Sequence, residues 1–204
     1  LFTFAGIGNP LACGGCSPPD TVGDVGPTHY MQMVNATKLA AFNKVGTLVG
    51  GPIDLSSLWS SGDCAADAGD PVVSYDPLAD RWVLAQFNGA DTLCFAVSQT
   101  ANPLGTYWIY DFQTTDFPDY FKIGVWPDGY YVSTNEANYN AWAFDRVKML
   151  QGLVAGSIKA TGFAANFLMP ADVDGIVAPP PGAPAIYYTF LDNSFHGGTD
   201  RLEL

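Results

Sequence analysis

The sequence is short of positive charge, of glutamate and of histidine. Its 204 residues include 8 Lys and Arg against 20 Asp and Glu, with 2 His, for a formal net charge of −12. So acidic a chain offers no basic stripe for a phosphate backbone, which argues against a nucleic-acid partner. Charged residues make up only 14% of the chain, against roughly 25% in an average globular domain. That is too few for the ion-pair networks of hyperthermophiles. No apolar run approaches the roughly 18 residues of a membrane span. Neither a Gly-x-Ser-x-Gly elbow nor a phosphate loop is present, so those nucleophilic and nucleotide-binding chemistries have no motif to rest on.

What is present is apolar and turn-rich. Hydrophobic residues reach 48% and aromatics 14%, which excludes a disordered acidic tail. The length suits one ordinary domain or several small repeats with a real core. The acid is lopsided, with eighteen Asp against Glu136 and Glu203 alone. Asp favours turns and caps, whereas Glu favours helix interiors. With 22 Gly and 15 Pro, the composition predicts an all-β fold with many tight turns.

Four cysteines stand at Cys13, Cys16, Cys64 and Cys94. An even count in an acidic, lysine-poor chain points to an oxidising compartment. Three connectivities are open. The local pairs Cys13–Cys16 and Cys64–Cys94 are favoured because they need least rearrangement. Zinc at Cys13-Gly-Gly-Cys16 would need two more ligands, and His29 and His196 are isolated from it. Thioredoxin-like chemistry would need a βαβ context.

The chain repeats itself at a period near fifty residues, and such a period resets the fold expectation. The units are PDTVGDVGPTHYMQMVN (19–35), GDPVVSYDPLADRWVLAQFN (69–88), PDYFKIGVWPDGYYVSTN (118–135) and ADVDGIVAPPPGAPAIYYTFLDN (171–193). Each opens on an Asp (Asp20, Asp70, Asp119, Asp172), turns at a Pro, continues through an aromatic and closes on an Asn (Asn35, Asn88, Asn135, Asn193). Each therefore reads as a β-hairpin. Further strand-like runs follow at Lys38–Phe42, Thr92–Ser98 and Trp108–Phe112. Three or four strands per unit predict a β-propeller with blades over about 18–68, 69–117, 118–170 and 171–204. A β-sandwich would not repeat its turn chemistry so regularly. One helix is expected from Asp145, its cap, to Gly152. Residues 1–17 form a separate stretch, an N-terminal strand and the Cys-Gly-Gly-Cys segment. Leu1–Phe4 would complete the last blade, or else further blades follow Leu204. The mid-strand pattern at Arg201–Leu204 favours a larger propeller. The start at Leu1 without Met fits a removed leader or a piece of a longer chain.

The segments PPDTVGDVGPTHYMQMVN, SYDPLADRWVLAQF, AVSQTANPLGTYWIYDF and FPDYFKIGVWPDGYYVSTN resemble a group of large secreted bacterial proteins, often joined to Ig-like or sorting modules. The resemblance spans about residues 18–204. It implies secretion or a cell-surface location and a propeller-like catalytic or binding domain, and it supplies no catalytic residues. A weaker likeness links SQTANPLGTYWIYDF to five-bladed propeller glycosidases, which set carboxylates from successive blades around a central pocket. The Ser-x-Asp-x-Gly-x-x-Trp box of sialidases is missing.

In a propeller, the first strand of a blade starts on the face where the second ends. Asp20, Asp70, Asp119 and Asp172 should then share a rim with Asn35, Asn88, Asn135 and Asn193. Such oxygen ligands suit Ca²⁺ or sugar hydroxyls, with Tyr120, Trp126, Tyr139 and Trp142 as stacking faces. The competing reading is that these Asp and Asn cap turns and strand ends. A glycosidase would use Glu136 as general acid, Asp20 as base and Asp70 or Asp119 as an orienting carboxylate. Three functions follow as expectations: an extracellular module binding a glycan, a protein or itself; a glycoside hydrolase or lyase; and a structural subunit of a surface layer or filament.

Overall fold

The computed structural model describes residues 3–15, 17–163, 168–191 and 201–204. The chain is all-β. Its first three sheets are four-stranded antiparallel meanders in simple sequence order. The first contains β1 (Val22–Val25), β2 (His29–Val34), β3 (Lys38–Asn43) and β4 (Leu48–Asp54). The second contains β5 (Gly69–Asp76), β6 (Arg81–Phe87), β7 (Thr92–Ser98) and β8 (Tyr107–Gln113). The third contains β9 (Asp119–Val125), β10 (Tyr130–Asn135), β11 (Tyr139–Phe144) and β12 (Ser157–Phe163). A fourth, three-stranded sheet follows with β13 (Met169–Pro170), β14 (Tyr187–Leu191) and β15 (Arg201–Glu203). It begins two residues ahead of the boundary expected at 171.

The hairpin turns sit where the repeat placed them. Gly-Pro separates β1 from β2, Asp-Pro opens the β5–β6 turn, and Pro-Asp-Gly separates β9 from β10. The expected helix forms as one short turn, α1 (Arg146–Met149), and the Asp145 side chain caps it by accepting from Lys148 N–H. Gly152 ends the segment at φ +69°, a conformation glycine adopts without strain.

The sheets stack face to face through alternating side chains. Met31, Met33, Leu39 and Ala41 of the first sheet meet Trp82, Leu84, Cys94 and Ala96 of the second. From the opposite face of the second sheet, Val83, Ala85, Phe87, Leu93, Phe95 and Val97 meet Phe121, Val125, Tyr130, Val132 and Phe144 of the third. The second sheet is thus covered on both faces. This explains why β6 and β7 read as nearly continuous apolar runs rather than alternating ones. Burial of each large apolar side chain contributes about 1.5–3 kcal/mol. The first strands of successive sheets lie side by side, β1 against β5, β5 against β9, and β9 against β13.

Aspartates clamp these contacts. Asp24 Oδ2 accepts from Tyr75 N–H at 2.6 Å, joining the first sheet to the second. Asp76, fully buried, accepts from Arg146 Nε at 2.6 Å, Arg146 Nη2 at 2.9 Å and Tyr130 Oη at 2.9 Å, joining the second to the third. Asp172 Oδ1 accepts from Val125 N–H at 2.6 Å, joining the fourth to the third. Backbones also touch directly here. A Cβ at Gly124 would lie 2.3 Å from the Ala171 carbonyl oxygen.

Cys64 and Cys94 form the expected disulfide, fully buried, tying the 55–68 connection to β7. The pairing expected at Cys13–Cys16 lies outside the described residues because of Cys16. Leu1 and Phe2 also lie outside them. The expectation that Leu1–Phe4 completes the last sheet therefore falls partly outside the described residues, of which Thr3 and Phe4 are not in a strand. Phe4 instead packs on Tyr30 and Phe42, and Ile7 N–H donates to Gln32 Oε1 at 2.7 Å. Residues 3–12 cover the outer face of the first sheet through Ile7, Ala12, Val34, Ala40 and Phe42. The cause is the apolar outward face of β2 and β3, which needs a cover.

Three substitutions test this frame. Gly124→Ala is expected to cost about 1–3 kcal/mol of unfolding free energy in urea. Gly156→Ala, with open space around it, should cost far less. Arg146→Met leaves the Asp76 carboxylate buried and unpaired and should cost about 3–5 kcal/mol. An unchanged urea midpoint for Arg146→Met would show that the clamp does not hold the second and third sheets.

Candidate functional site

Three left-handed non-glycine residues stand where the first strands begin. Asp20, Asp70 and Tyr120 carry φ of +41°, +45° and +51°. Their spacing is fifty residues each time, so they are one structural position repeated. Asp tolerates that conformation, while a Tyr there is an outlier. Sequence alignment by residue type selected Asp119, but the backbone selects its neighbour Tyr120. The exact 20–70–120 spacing was the available signal.

These three positions open on one cavity of about 190 Å³, lined by Asp20, Thr21, Val22, Asp70, Pro71, Tyr120 and Lys122. Asp119 stands beside it, paired in register with Asn135 across β9 and β10. Asp70 Oδ2 accepts from Tyr120 N–H at 3.2 Å. Burial, and then the negative charges of Asp119 and Asp20, push the Asp70 carboxyl above the usual carboxylate range, against the Tyr120 N–H and the Lys122 charge. Lys122 Nζ donates to Phe121 O at 3.0 Å and lies 3.6 Å from the centre of the Tyr120 ring. Burial lowers its pKa, although Asp70, Asp20 and Asp119 pull in the other direction. Lys122 escaped the sequence reading because one lysine in a strand carries no motif.

The Asp–Asn rim is partly assembled. Asn35 Nδ2 donates to Asp20 Oδ2 at 2.7 Å, and Asn135 faces Asp119. Asn88 stands after β6 at the same end, where its Oδ1 accepts from Ala90 and Thr92 N–H and caps the β6–β7 turn. Asn193 lies outside the described residues, as does His196. Asp172 departs from the expected rim. It binds Val125 at the far end of β9 from Asp119, where burial first, with Asp174 and Asp24 adding to it, raises its carboxyl pKa. The cause is that the first strand of the fourth sheet, β13, ends at Pro170, so Asp172 follows it instead of preceding it. Among the described residues, no group of three or more His, Cys, Asp and Glu side chains is placed to hold a metal ion.

Glu136 is part of a different arrangement from the one expected of a general acid. Its side chain is 1% exposed and both oxygens are taken. Oε1 accepts from Thr134 Oγ1 at 2.7 Å and Trp142 Nε1 at 3.1 Å. Oε2 accepts from Lys159 Nζ at 2.6 Å and Thr115 N–H at 3.0 Å. Burial alone would raise its pKa, but hydrogen bonds from Lys159, Thr134 and Thr115, with the Lys159 charge, outweigh it and hold the carboxyl below its ordinary value. A general acid must instead keep its proton near working pH. Of the stacking faces, Trp142 is buried against Phe144 and Trp126 Nε1 donates to Ala183 O at 2.9 Å. Tyr120 is 37% exposed.

Comparison with protein-family models, curated proteins and solved structures returns no match.

The lowered pKa fixes the sign of the Glu136 contribution. It is fully present above the unfolded value, about 4.3, and is lost as pH falls through the lower folded value. Glu136→Gln should therefore cost about 2 kcal/mol at neutral pH. Urea titrations should show that difference shrinking below about pH 4. A difference independent of pH would contradict an ionised Glu136.

Proposed function

We propose that this chain is a secreted β-propeller module that binds a ligand at the Asp20–Asp70–Tyr120–Lys122 cavity. The observation that carries the reading is that three successive sheets each bring the start of their first strand to that one cavity. Four-strand meanders stacked face to face, with adjacent first strands, support the propeller reading. A second cavity supports curvature around a common axis. It is lined by Asp24, Val25, Tyr75, Val173 and Asp174, which come from the first, second and fourth units. The buried Cys64–Cys94 disulfide supports an oxidising, extracellular setting. The module's partner is a glycan, a protein or a second copy of this chain. The exposed Tyr120 ring beside polar groups favours a glycan.

The raised Asp70 carboxyl beside Asp20 favours one alternative, a glycoside hydrolase with Asp70 in place of Glu136 as acid. Incubating the full chain with a polysaccharide panel separates the two. Retention on a polysaccharide without release of reducing ends is expected, weakened about tenfold by Tyr120→Ala. Release of reducing ends that Asp70→Asn abolishes would replace the binding reading with the hydrolase. Retention of no polysaccharide, together with concentration-dependent assembly in sedimentation, would replace it with self-association.

A further inference from the structure

We infer that the Asp20–Asp70–Lys122 cavity takes the vicinal hydroxyls of a single uncharged sugar ring. The inference rests on the binding-module reading above and adds the chemistry of the ligand.

The cavity holds donors and acceptors that do not reach one another. Lys122 forms no ion pair with Asp20, Asp70 or Asp119 among the described residues, although its pKa registers the charge of all three. Its ammonium has three N–H donors, one of which goes to Phe121 O. On the facing walls, the hydrogen bonds to Asp20 and Asp70 each fall on Oδ2, from Asn35 and from Tyr120 N–H. Among the described residues, neither Oδ1 accepts a hydrogen bond.

An occupant must therefore accept from an ammonium and donate to carboxylates at once. An anion meets Asp20 and Asp70 and is repelled. A cation meets Lys122, whose Nζ already holds the place over the Tyr120 ring that a cation would take. A hydroxyl does both, donating through O–H and accepting through its lone pairs. Two adjacent hydroxyls span an ammonium on one wall and a carboxylate on the other. Size agrees. The cavity of about 190 Å³ lies below the roughly 300–1,000 Å³ of drug-sized pockets, which suits one ring of a longer chain. The 37% exposure of Tyr120 leaves ring surface for the apolar C–H face of that sugar.

The test titrates the full chain by calorimetry with neutral methyl hexosides, glucosamine, glucuronate and calcium chloride separately, each up to about 50 mM. At least one neutral hexoside should bind with a dissociation constant in the millimolar range. Glucuronate and glucosamine of matching configuration should bind about fivefold more weakly or worse. Lys122→Met and Asp70→Asn should each weaken the hexoside at least about tenfold. Thr21→Trp, which fills the cavity from an exposed wall without removing a charge, should do the same and guards against a misfolded charge variant. Preference for glucosamine or for calcium alone would overturn the inference in favour of a cation site. Hexoside binding that survives Thr21→Trp would overturn it as well. If no hexoside binds while the polysaccharide of the preceding experiment is still retained, the sugar-ring inference fails and the binding-module reading stands. If neither is retained, both fail.

Discussion

The structure depends on short carboxylates that cross from one sheet to the next. Asp24, Asp76 and Asp172 each reach across to a neighbouring unit, in turn to a backbone N–H on β5, to Arg146 on α1 with Tyr130 on β10, and to a backbone N–H on β9. Apolar burial alone would hold the sheets together but would let them slide, because it has no direction. A charge-assisted hydrogen bond is directional and roughly twice as strong as a neutral one. The clamps therefore give each sheet-to-sheet contact a direction that apolar packing lacks. The cavity of Asp20, Asp70, Tyr120 and Lys122 lies among the first strands of the three sheets so joined.

The same need accounts for three of the eighteen Asp, namely Asp24, Asp76 and Asp172. A carboxylate bonding to backbone across close-packed sheets must be short, and a longer side chain would carry extra rotamer freedom to be lost. Glu136 shows the contrasting use. It spans a wider gap to Lys159, Thr115 and Trp142, and it ties the third sheet to the connection before it. The carboxylates also differ in sign. Glu136 contributes stability that is lost on acidification. Asp70 and Asp172 are harder to ionise in the fold than in the unfolded chain. They therefore favour the folded state at low pH, and that contribution disappears as pH rises through their raised values. Acid thus acts on this fold in opposing directions at different places.

Much of this was legible before any coordinates. The all-β class, the strands at Thr92–Ser98 and Trp108–Phe112, the Asp145 cap and the Cys64–Cys94 pair rest on local rules, and the structure has each of them. The misplacements have long-range causes. Asp119 and Tyr120 are adjacent; residue type points to Asp119, while the exact fifty-residue spacing and the backbone conformation both point to Tyr120 as continuing the series from Asp20 and Asp70. Asp172 shares a residue type with the rim but follows its short strand, which puts it at the opposite end. Glu136 stood at a repeat landmark, yet burial and its opposition by Lys159 on β12, Thr134 and Thr115 set its ionisation. Phe4 lies in an apolar run that fits a strand, but the uncovered face of β2 and β3 gave it a different place.

By itself the sequence determined what its local chemistry controls: the strand class, the hairpin turns, the fifty-residue repeat and one disulfide. Each depends on a few neighbouring residues and their backbone preferences, or on a short list of pairings. The tertiary structure alone decided which carboxylates became clamps and which line a cavity. It also decided that Lys122 belongs among them. Those roles depend on distances between sheets and on desolvation, and neither quantity exists until the faces have packed.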